Sequence, residues 1–237
     1  MSLIKGEVKW PGNFLSGVFL ASLLFGAVSV VSLSTARAAG DSVIAQGGNG
    51  EVFFAALPDQ WQALPRSTQA QSTTAEWLPP GQNVNNWKDM ITVQVFPGWA
   101  DGDVVSFLDE LAAIYKQNCE VSGATPPLKD QVNGFPTGFR LINCTRDLTR
   151  NTGEVALFRA TVGQNALYLI QHVFRVPEFE IGAQPVTNEA MKQAFEGIRT
   201  GWACNQNSKK HPCPPSWQSS LSKLDGKPSV VVIKAPK

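Results

Sequence analysis

The first forty residues constrain this chain most, because they decide which part of it folds and in which compartment. Lys5 and Lys9 give the segment a positive start, and an apolar run from Phe14 to Leu33 follows, interrupted only by small residues. Ala36-Arg37-Ala38 comes next. This order of a positive region, an apolar region and a small-residue site is typical of a secretory signal peptide. We therefore predict a signal peptide over residues 1–38 and export of the remainder by the Sec route to the periplasm.

An uncleaved membrane anchor is the alternative interpretation of the same run, since a spanning helix needs roughly 20 apolar residues. The Ala-Arg-Ala triplet and the glycines that follow it, Gly47, Gly48 and Gly50, favour cleavage. No cysteine precedes Cys119, which excludes a lipid anchor at the cleavage point. The segment also has no Arg-Arg pair for the twin-arginine route. We expect an attachment to the membrane only if cleavage fails.

The charge of the exported part argues against nucleic acid as a partner. The chain has 20 basic and 19 acidic residues, and three of the basic ones (Lys5, Lys9, Arg37) and one acidic one (Glu7) lie in the signal, which leaves a net charge of −1. A near-neutral chain lacks the broad positive surface with which proteins bind nucleic acid or an anionic membrane. The remaining length suits one ordinary domain.

Four cysteines, Cys119, Cys144, Cys204 and Cys213, are expected to form two disulfides in an exported protein. Three connectivities are possible. We predict Cys119–Cys144, which would join the ends of two core elements, and Cys204–Cys213, which would close a short proline-containing loop. The alternative is a metal site formed by Cys204, His211 and Cys213, but the chain has few histidines and export favours oxidised thiols.

Hydrophobic periodicity predicts an α+β domain over residues 51–204. The clearest element is a hairpin of two strands, Glu154 to Val162 and Asn165 to Arg175, and its second strand is apolar on both faces, as in the middle of a sheet. Asp103 is expected to cap a helix that reaches Cys119, and Thr187 to cap a second helix whose apolar stripe extends to Trp202. Residues 39–50 are predicted to be a flexible lead-in, and residues 205–237 a Pro-, Ser- and Lys-rich tail with one late strand candidate from Ser229 to Ile233.

The order of these elements resembles a known fold. It comprises an early strand with the turn Pro58-Asp59-Gln60-Trp61, a strand containing Ile91-Thr92-Val93-Gln94-Val95, a helix over Val104 to Tyr115, the hairpin, and a terminal helix with Phe195-Glu196-Gly197-Ile198. It is similar to the Mog1p/PsbP-like fold, which includes DcrB-like periplasmic proteins. The run from Glu76 to Thr92 is also similar to exported proteins of proteobacteria. The resemblance implies an antiparallel sheet with helices packed on it, as an α/β/α sandwich, and a non-catalytic accessory or partner-binding role.

Catalytic patterns are poorly represented in the sequence. Hydrolysis by a nucleophile and a base would need a histidine close to a reactive hydroxyl, but His172 falls in the middle of a strand and His211 precedes a proline. No Gly-x-Ser-x-Gly elbow occurs. Asp101-Gly102-Asp103 could suggest calcium, but an N-cap followed by a solvated helix is the simpler explanation. We predict no catalytic residue, no metal and no cofactor.

Two groups of residues could form a binding surface. Arginines gather around the predicted hairpin, where they either bind a partner or pair with nearby acids such as Glu154 and Asp147. Tryptophans fall in or beside loops of the N-terminal half, where they are either buried anchors or exposed contacts of the kind that dominates interface hot spots. The candidate surface residues are Trp77, Trp87, Trp99, Arg140, Arg146, Arg159 and Arg175.

These observations favour a non-enzymatic periplasmic accessory protein that binds another cell-envelope component, an envelope protein or complex. One alternative is a small envelope hydrolase, or a lipid- or glycan-modifying enzyme, built around His172. A soluble ligand-binding protein is the other.

Overall fold

The computed structural model describes residues 41–69, 72–100 and 102–234. The predicted signal peptide and its cleavage site therefore lie outside the described residues. The strands are β1 Asp41–Gly48, β2 Glu51–Ala56, β3 Gln62–Ala63, β4 Ser67–Gln69, β5 Ser72–Leu78, β6 Asp89–Pro97, β7 Ser122–Ala124, β8 Leu128–Val132, β9 Phe135–Cys144, β10 Gly153–Val162, β11 Ala166–Val176, β12 Trp202–Asn205 and β13 Ser229–Lys234. The helices are α1 Val104–Asn118, α2 Asn188–Arg199 and α3 Gln218–Leu221, with a 3-10 turn at Pro215–Trp217.

Two antiparallel sheets form the described part of the chain. The large sheet has the order β3-β5-β6-β11-β10-β9-β7, with β4 beside β5 and β8 beside β9, and the small sheet has the order β12-β2-β1-β13. Helix α1 packs on β9 and β10, whereas α2 packs on β10, β11 and β2. The predicted α+β class and the antiparallel sheet with packed helices are confirmed. The layer opposite α1 contains the small sheet as well as α2, because Val43, Ala45 and Phe53 share one core with Val93 and Tyr168.

The hairpin and both helix starts agree with the sequence. β10 and β11 pair from Gly153↔Val176 to Val162↔Leu167, and β11 lies between β6 and β10 in the middle of the sheet. The Asp103 carboxylate accepts a hydrogen bond from the Ser106 backbone N–H, and the Thr187 side chain accepts one from the Ala190 N–H. Helix α2 ends at Arg199, so Trp202 begins β12 rather than extending the apolar stripe of the helix.

The predicted boundaries at residues 51 and 204 are wrong. The expected flexible lead-in contains β1, whose Val43, Ile44 and Ala45 are fully buried, and β1 pairs with β2 on one side and with β13 on the other. Residues of the expected tail, Leu221 and Trp217 among them, cover the outer face of the small sheet at Ile44 and Phe54. Small residues such as Ala45 and Gly47 led to the prediction of a flexible segment, but their small side chains allow β1 to pack closely against the core. The Gly47 position lies so near Tyr168 that an added Cβ would be 2.1 Å from the tyrosine oxygen.

Candidate binding face

One face of β5, β6 and β11 carries polar side chains that are partly exposed except for Thr92, which is 1% exposed, whereas the other face is buried. Thr74 lies opposite Gln94, and Thr92 lies between Glu76 on one side and Gln171 on the other. The residues that alternate with them, among them Ala75, Trp77, Ile91, Val93 and Ile170, belong to the main core. Period-two alternation of this kind is expected of strands with one covered and one solvated face. We call the surface formed by Thr74, Glu76, Thr92, Gln94 and Gln171 the open face.

Helix α1 forms one wall of the open face. It lies over the neighbouring strands β9 and β10, and its Leu108 shares a core cluster with Leu169 of β11, which is the residue opposite Gln94. The floor is made of amide and hydroxyl groups and one carboxylate, that of Glu76. Gln94 Nε2 donates to Thr74 Oγ1 at 3.0 Å, and the Thr92 hydroxyl is buried without a hydrogen-bond partner among the described residues.

An aromatic cluster stands at one end of the open face. Trp99 follows β6 and remains 38% exposed, although its ring meets Phe107 of α1 edge-on at 5.8 Å between centroids and Phe96 at 6.3 Å. Phe107 in turn meets Phe96 at 5.6 Å. Because two phenylalanines hold the indole, Trp99 presents a large apolar surface in a restricted orientation, which is the property of an interface anchor.

Trp87 stands at the other end and is held by a cation. The Arg175 guanidinium carbon lies 3.5 Å from the centroid of the Trp87 ring, and Arg175 also approaches Glu154 at 3.9 Å. The Tyr115 hydroxyl donates to Glu154 Oε2 at 3.5 Å. Burial raises the pKa of Glu154 and lowers that of Arg175, because it disfavours the charged form of each group. Two of the predicted surface residues, Trp87 and Arg175, are therefore brought together.

The other predicted arginines on this side are engaged in ion pairs. Arg140 on β9 pairs with Asp109 of α1. Arg146 donates from Nε to Glu120 Oε2 at 2.7 Å and lies 3.7 Å from Glu178. Paired charges of this kind give the arginines a structural role, and β9 is separated from the open face by β10.

Two predicted surface residues are wrong, since Trp77 and Arg159 are 2% and 0% exposed. Trp77 is on β5, where the alternation turns it into the core. Arg159 is on the α2 side of β10, and its Nη1 donates to the carbonyl oxygens of Ile198 and Arg199 at 3.0 and 3.2 Å. The negative end of the α2 dipole therefore receives the guanidinium. Burial lowers the pKa of Arg159 to about 10.

His172 occupies the core side of β11, as a satisfied core histidine would. It is 7% exposed, and its Nε2 lies 2.5 Å from Asp89 Oδ1. The Trp61 ring meets it edge-on at 5.7 Å, and Phe174 stacks on it at 4.7 Å. In the part of the chain that the structure describes, no hydroxyl group hydrogen-bonds to His172. The sequence did not identify Asp89, because its proximity depends on the pairing of β6 with β11.

Both predicted disulfides are present. Cys119 and Cys144 are bonded with their Cα atoms 5.5 Å apart, and Cys204 and Cys213 with theirs 5.0 Å apart. The second bond uses both sulfurs of the alternative metal site, and His211 instead stacks on Phe135 and hydrogen-bonds the Asn133 carbonyl. Residues 41–69, 72–100 and 102–234 contain no cluster of three potential metal ligands, and none of their helices has the length and hydropathy to span a membrane.

Sequence reasoning missed the polar residues of the open face. A signal was present, since Thr74 and Glu76 alternate with buried residues of β5, and Thr92 and Gln94 alternate with those of β6. The alternation shows that each strand has a polar side, but it does not show that the three polar sides are adjacent or that α1 stops short of them.

Comparison with protein-family models and with curated proteins gives no match. Similar solved structures include LpqN, a protein involved in cell envelope biogenesis of Mycobacterium tuberculosis, which is 13% identical over 69% of this chain and 90% of LpqN, with a TM-score of 0.41. The Ran-binding protein Mog1p of Saccharomyces cerevisiae is 12% identical over 61% of this chain and 78% of its own, with a TM-score of 0.37. Cyanobacterial PsbP from Synechocystis is 9% identical over 74% of this chain and 96% of its own, with a TM-score of 0.44. These structures agree with the Mog1p/PsbP-like resemblance in fold, and at these scores they carry no argument about partner, ligand or activity.

Proposed function

We propose that this protein is a non-enzymatic accessory protein of the cell envelope, exported to the periplasm, that binds an envelope protein or complex through the open face. The observation that carries the proposal is the open face itself. Three central strands leave a polar surface partly uncovered between two tryptophans, each fixed by its neighbours. The two disulfides support an oxidising compartment.

The composition of the open face suits a protein surface of low charge. Its floor contains one carboxylate, Glu76, and otherwise amides and hydroxyls that both donate and accept hydrogen bonds. Trp87 and Trp99 supply the aromatic area that is enriched at interfaces.

Site-specific photo-cross-linking in intact envelopes tests this proposal. A photoreactive amino acid in place of Gln94 is expected to give a covalent adduct with one partner, whereas the same amino acid in place of the exposed Lys129 on β8 is not. With the partner purified, Trp99→Ala should weaken binding by about 2 kcal/mol, or roughly thirtyfold, because it removes an interface anchor. The N-terminus of the recovered protein, expected at Ala39 or Gly40, tests export and cleavage.

Melting temperatures of the variants separate binding from stability. Trp99→Ala should melt close to the parent because the ring is partly exposed, while Trp87→Ala also loses the contact with Arg175. Equal yields of cross-linked adduct from positions 94 and 129 would contradict binding through the open face. An unchanged affinity of a folded Trp99→Ala variant for the partner would also contradict it.

A small envelope hydrolase, or a lipid- or glycan-modifying enzyme, is the second candidate, and the contact between Asp89 and His172 favours it. A carboxylate that orients an imidazole is two-thirds of a nucleophilic triad. The two candidates differ in their response to His172→Ala. The cellular phenotype should survive this substitution in a folded binding protein, and should be lost if His172 is a catalytic base.

A further inference from the structure

A cavity of about 380 Å³ lies between the edges of the two sheets, on the side of the large sheet opposite to the open face. Strands β3 and β5 and the loop after β3 form one side, and the edge strand β13 forms the other. Its lining residues are Ala63, Leu64, Pro65, Arg66, Ala75, Trp77, Val230 and Val232. The volume is within the range of small-molecule sites, about 300–1,000 Å³.

The side chains that line the cavity are apolar except for Arg66. Ala75, Trp77 and Val230 are 3%, 2% and 0% exposed and belong to the main core, so they close the bottom of the cavity but present almost no accessible surface to a ligand. Ala63 and Val232 lie at the rim, and Val232 is 41% exposed. None of the lining side chains is a hydroxyl, an amide or a carboxylate. A ligand with several polar groups, such as a sugar or a nucleotide, would leave those groups without partners, which is costly in an apolar site.

Arg66 is the single charged group of the lining. Its Nη1 donates to the Val230 carbonyl oxygen on the free edge of β13 at 2.6 Å, which holds the guanidinium beside the cavity. Among the described residues, no carboxylate lies within 4.0 Å of Arg66, unlike Arg140, Arg146 and Arg175. A guanidinium has five N–H donors and binds carboxylates in a bidentate manner. The Arg66 side chain is exposed, and a cation beside apolar side chains is complementary to an anion that carries an apolar body.

We propose that this cavity binds a free fatty acid, with its carboxylate on Arg66 and its aliphatic chain along Ala63, Leu64 and Val232. Burial of the methylene groups favours binding, and the carboxylate makes a charge-assisted contact with the guanidinium. This site is separate from the open face.

Isothermal titration calorimetry with three probes of equal chain length tests the charge complementarity. Dodecanoate below its micelle concentration should bind the parent more tightly than dodecanol, and dodecylammonium should bind most weakly. Arg66→Gln should weaken dodecanoate binding by about tenfold, since a charge-assisted contact is lost, and should leave dodecanol affinity nearly unchanged. Arg66→Lys keeps the charge and should recover most of the dodecanoate affinity. Arg199→Gln, which alters an exposed arginine on α2, is the control.

A second pair of variants tests the location. Ala63 lies directly opposite Trp77 in the pairing of β3 with β5, so Ala63→Trp should fill the cavity and reduce the affinity for both dodecanoate and dodecanol. Ala124→Trp places the same side chain on exposed β7 at the other edge of the sheet and should bind like the parent. The proposal is overturned if dodecanoate does not bind, if Arg66→Gln binds it as tightly as the parent, or if Ala63→Trp behaves like Ala124→Trp.

Discussion

At the scale of single residues, the buried charges beside Trp87 are the most informative feature. Glu154 on β10 is 9% exposed and faces Arg175, and Tyr115 donates to it. Burial raises the pKa of Glu154 above its ordinary value of 4.5, and the attraction of Arg150 and Arg175 offsets only part of that effect. Ionising the Glu154 carboxylate, which holds Arg175 against the Trp87 ring, therefore costs free energy in the folded protein.

The raised pKa predicts a direction of pH dependence. The folded chain binds the Glu154 proton more tightly than the unfolded chain, so protonation of Glu154 stabilises the fold. This contribution to the free energy of unfolding is complete below about pH 4.5 and is lost as the pH rises through the pKa of Glu154 in the folded protein. The free energy of unfolding of the parent relative to Glu154→Gln should therefore be larger near pH 4 than near pH 7, as measured by urea unfolding. Glu120→Gln should show the opposite trend, because a hydrogen bond from Arg146 lowers the pKa of Glu120. A Glu154→Gln difference that grows with pH would contradict the prediction.

At the scale of elements, one carboxylate attaches the central hairpin to the small sheet. Glu51 of β2 is 1% exposed and accepts hydrogen bonds from the backbone N–H groups of Gln164, Asn165 and Ala166 at 2.5, 3.2 and 3.3 Å. It also accepts one from the Tyr168 hydroxyl at 3.0 Å. The turn can approach this closely because residue 163 is glycine, where an added Cβ would be 2.0 Å from Glu51 Oε1.

Glu51→Gln should destabilise the fold strongly, because its amide group would direct N–H donors at the N–H groups of the turn. We expect the free energy of unfolding to fall by about 3 kcal/mol, as judged from the cost of unsatisfied buried donors that previously met a charged acceptor. Tyr168→Phe removes only one of the four donors and should cost about 1 kcal/mol. Chemical denaturation of the two variants measures both losses. A smaller loss of unfolding free energy in Glu51→Gln than in Tyr168→Phe would contradict the attachment of the hairpin to the small sheet through Glu51.

At the scale of the whole molecule, each of the two disulfides connects a secondary-structure element to a different segment of the chain. Cys119–Cys144 ties the end of α1 to β9, and its partners are 25 residues apart in sequence. Cys204–Cys213 ties β12 to the segment that covers the outer face of the small sheet, and its partners are 9 residues apart. The tip of the β8–β9 hairpin contacts the same segment, since Asn133 Nδ2 donates to the Ala203 and Pro212 carbonyl oxygens.

Loop length predicts which bond stabilises the molecule more. Closing the longer loop should contribute about 3.5 kcal/mol and closing the shorter one about 2.5 kcal/mol, through the lower entropy of the unfolded chain. Cys119→Ser with Cys144→Ser should therefore lower the free energy of unfolding more than Cys204→Ser with Cys213→Ser, as measured in guanidinium chloride. The reverse order would indicate that the shorter bond acts mainly by holding the covering segment in place.

The sequence by itself determined the features that depend on near neighbours. The hairpin of β10 and β11, the caps Asp103 and Thr187, and the cysteine pairing follow from periodicity, local hydrogen bonds and short loops. Short polar strands such as β8 were missed, because exposed residues at an edge carry no apolar alternation.

Only the tertiary structure decided which side chains reach the surface. Trp77 and Trp99 both lie next to a turn that contains proline and glycine. One is nevertheless 2% and the other 38% exposed, because the small sheet covers one face of the large sheet and α1 covers only part of the other. The tertiary structure also decided which distant strands pair. β1 and β13 pair from Asp41↔Lys234 to Gln46↔Ser229, although they lie at opposite ends of the domain in sequence. Burial and strand pairing depend on which distant segments pack together, and composition within a short window does not contain that information.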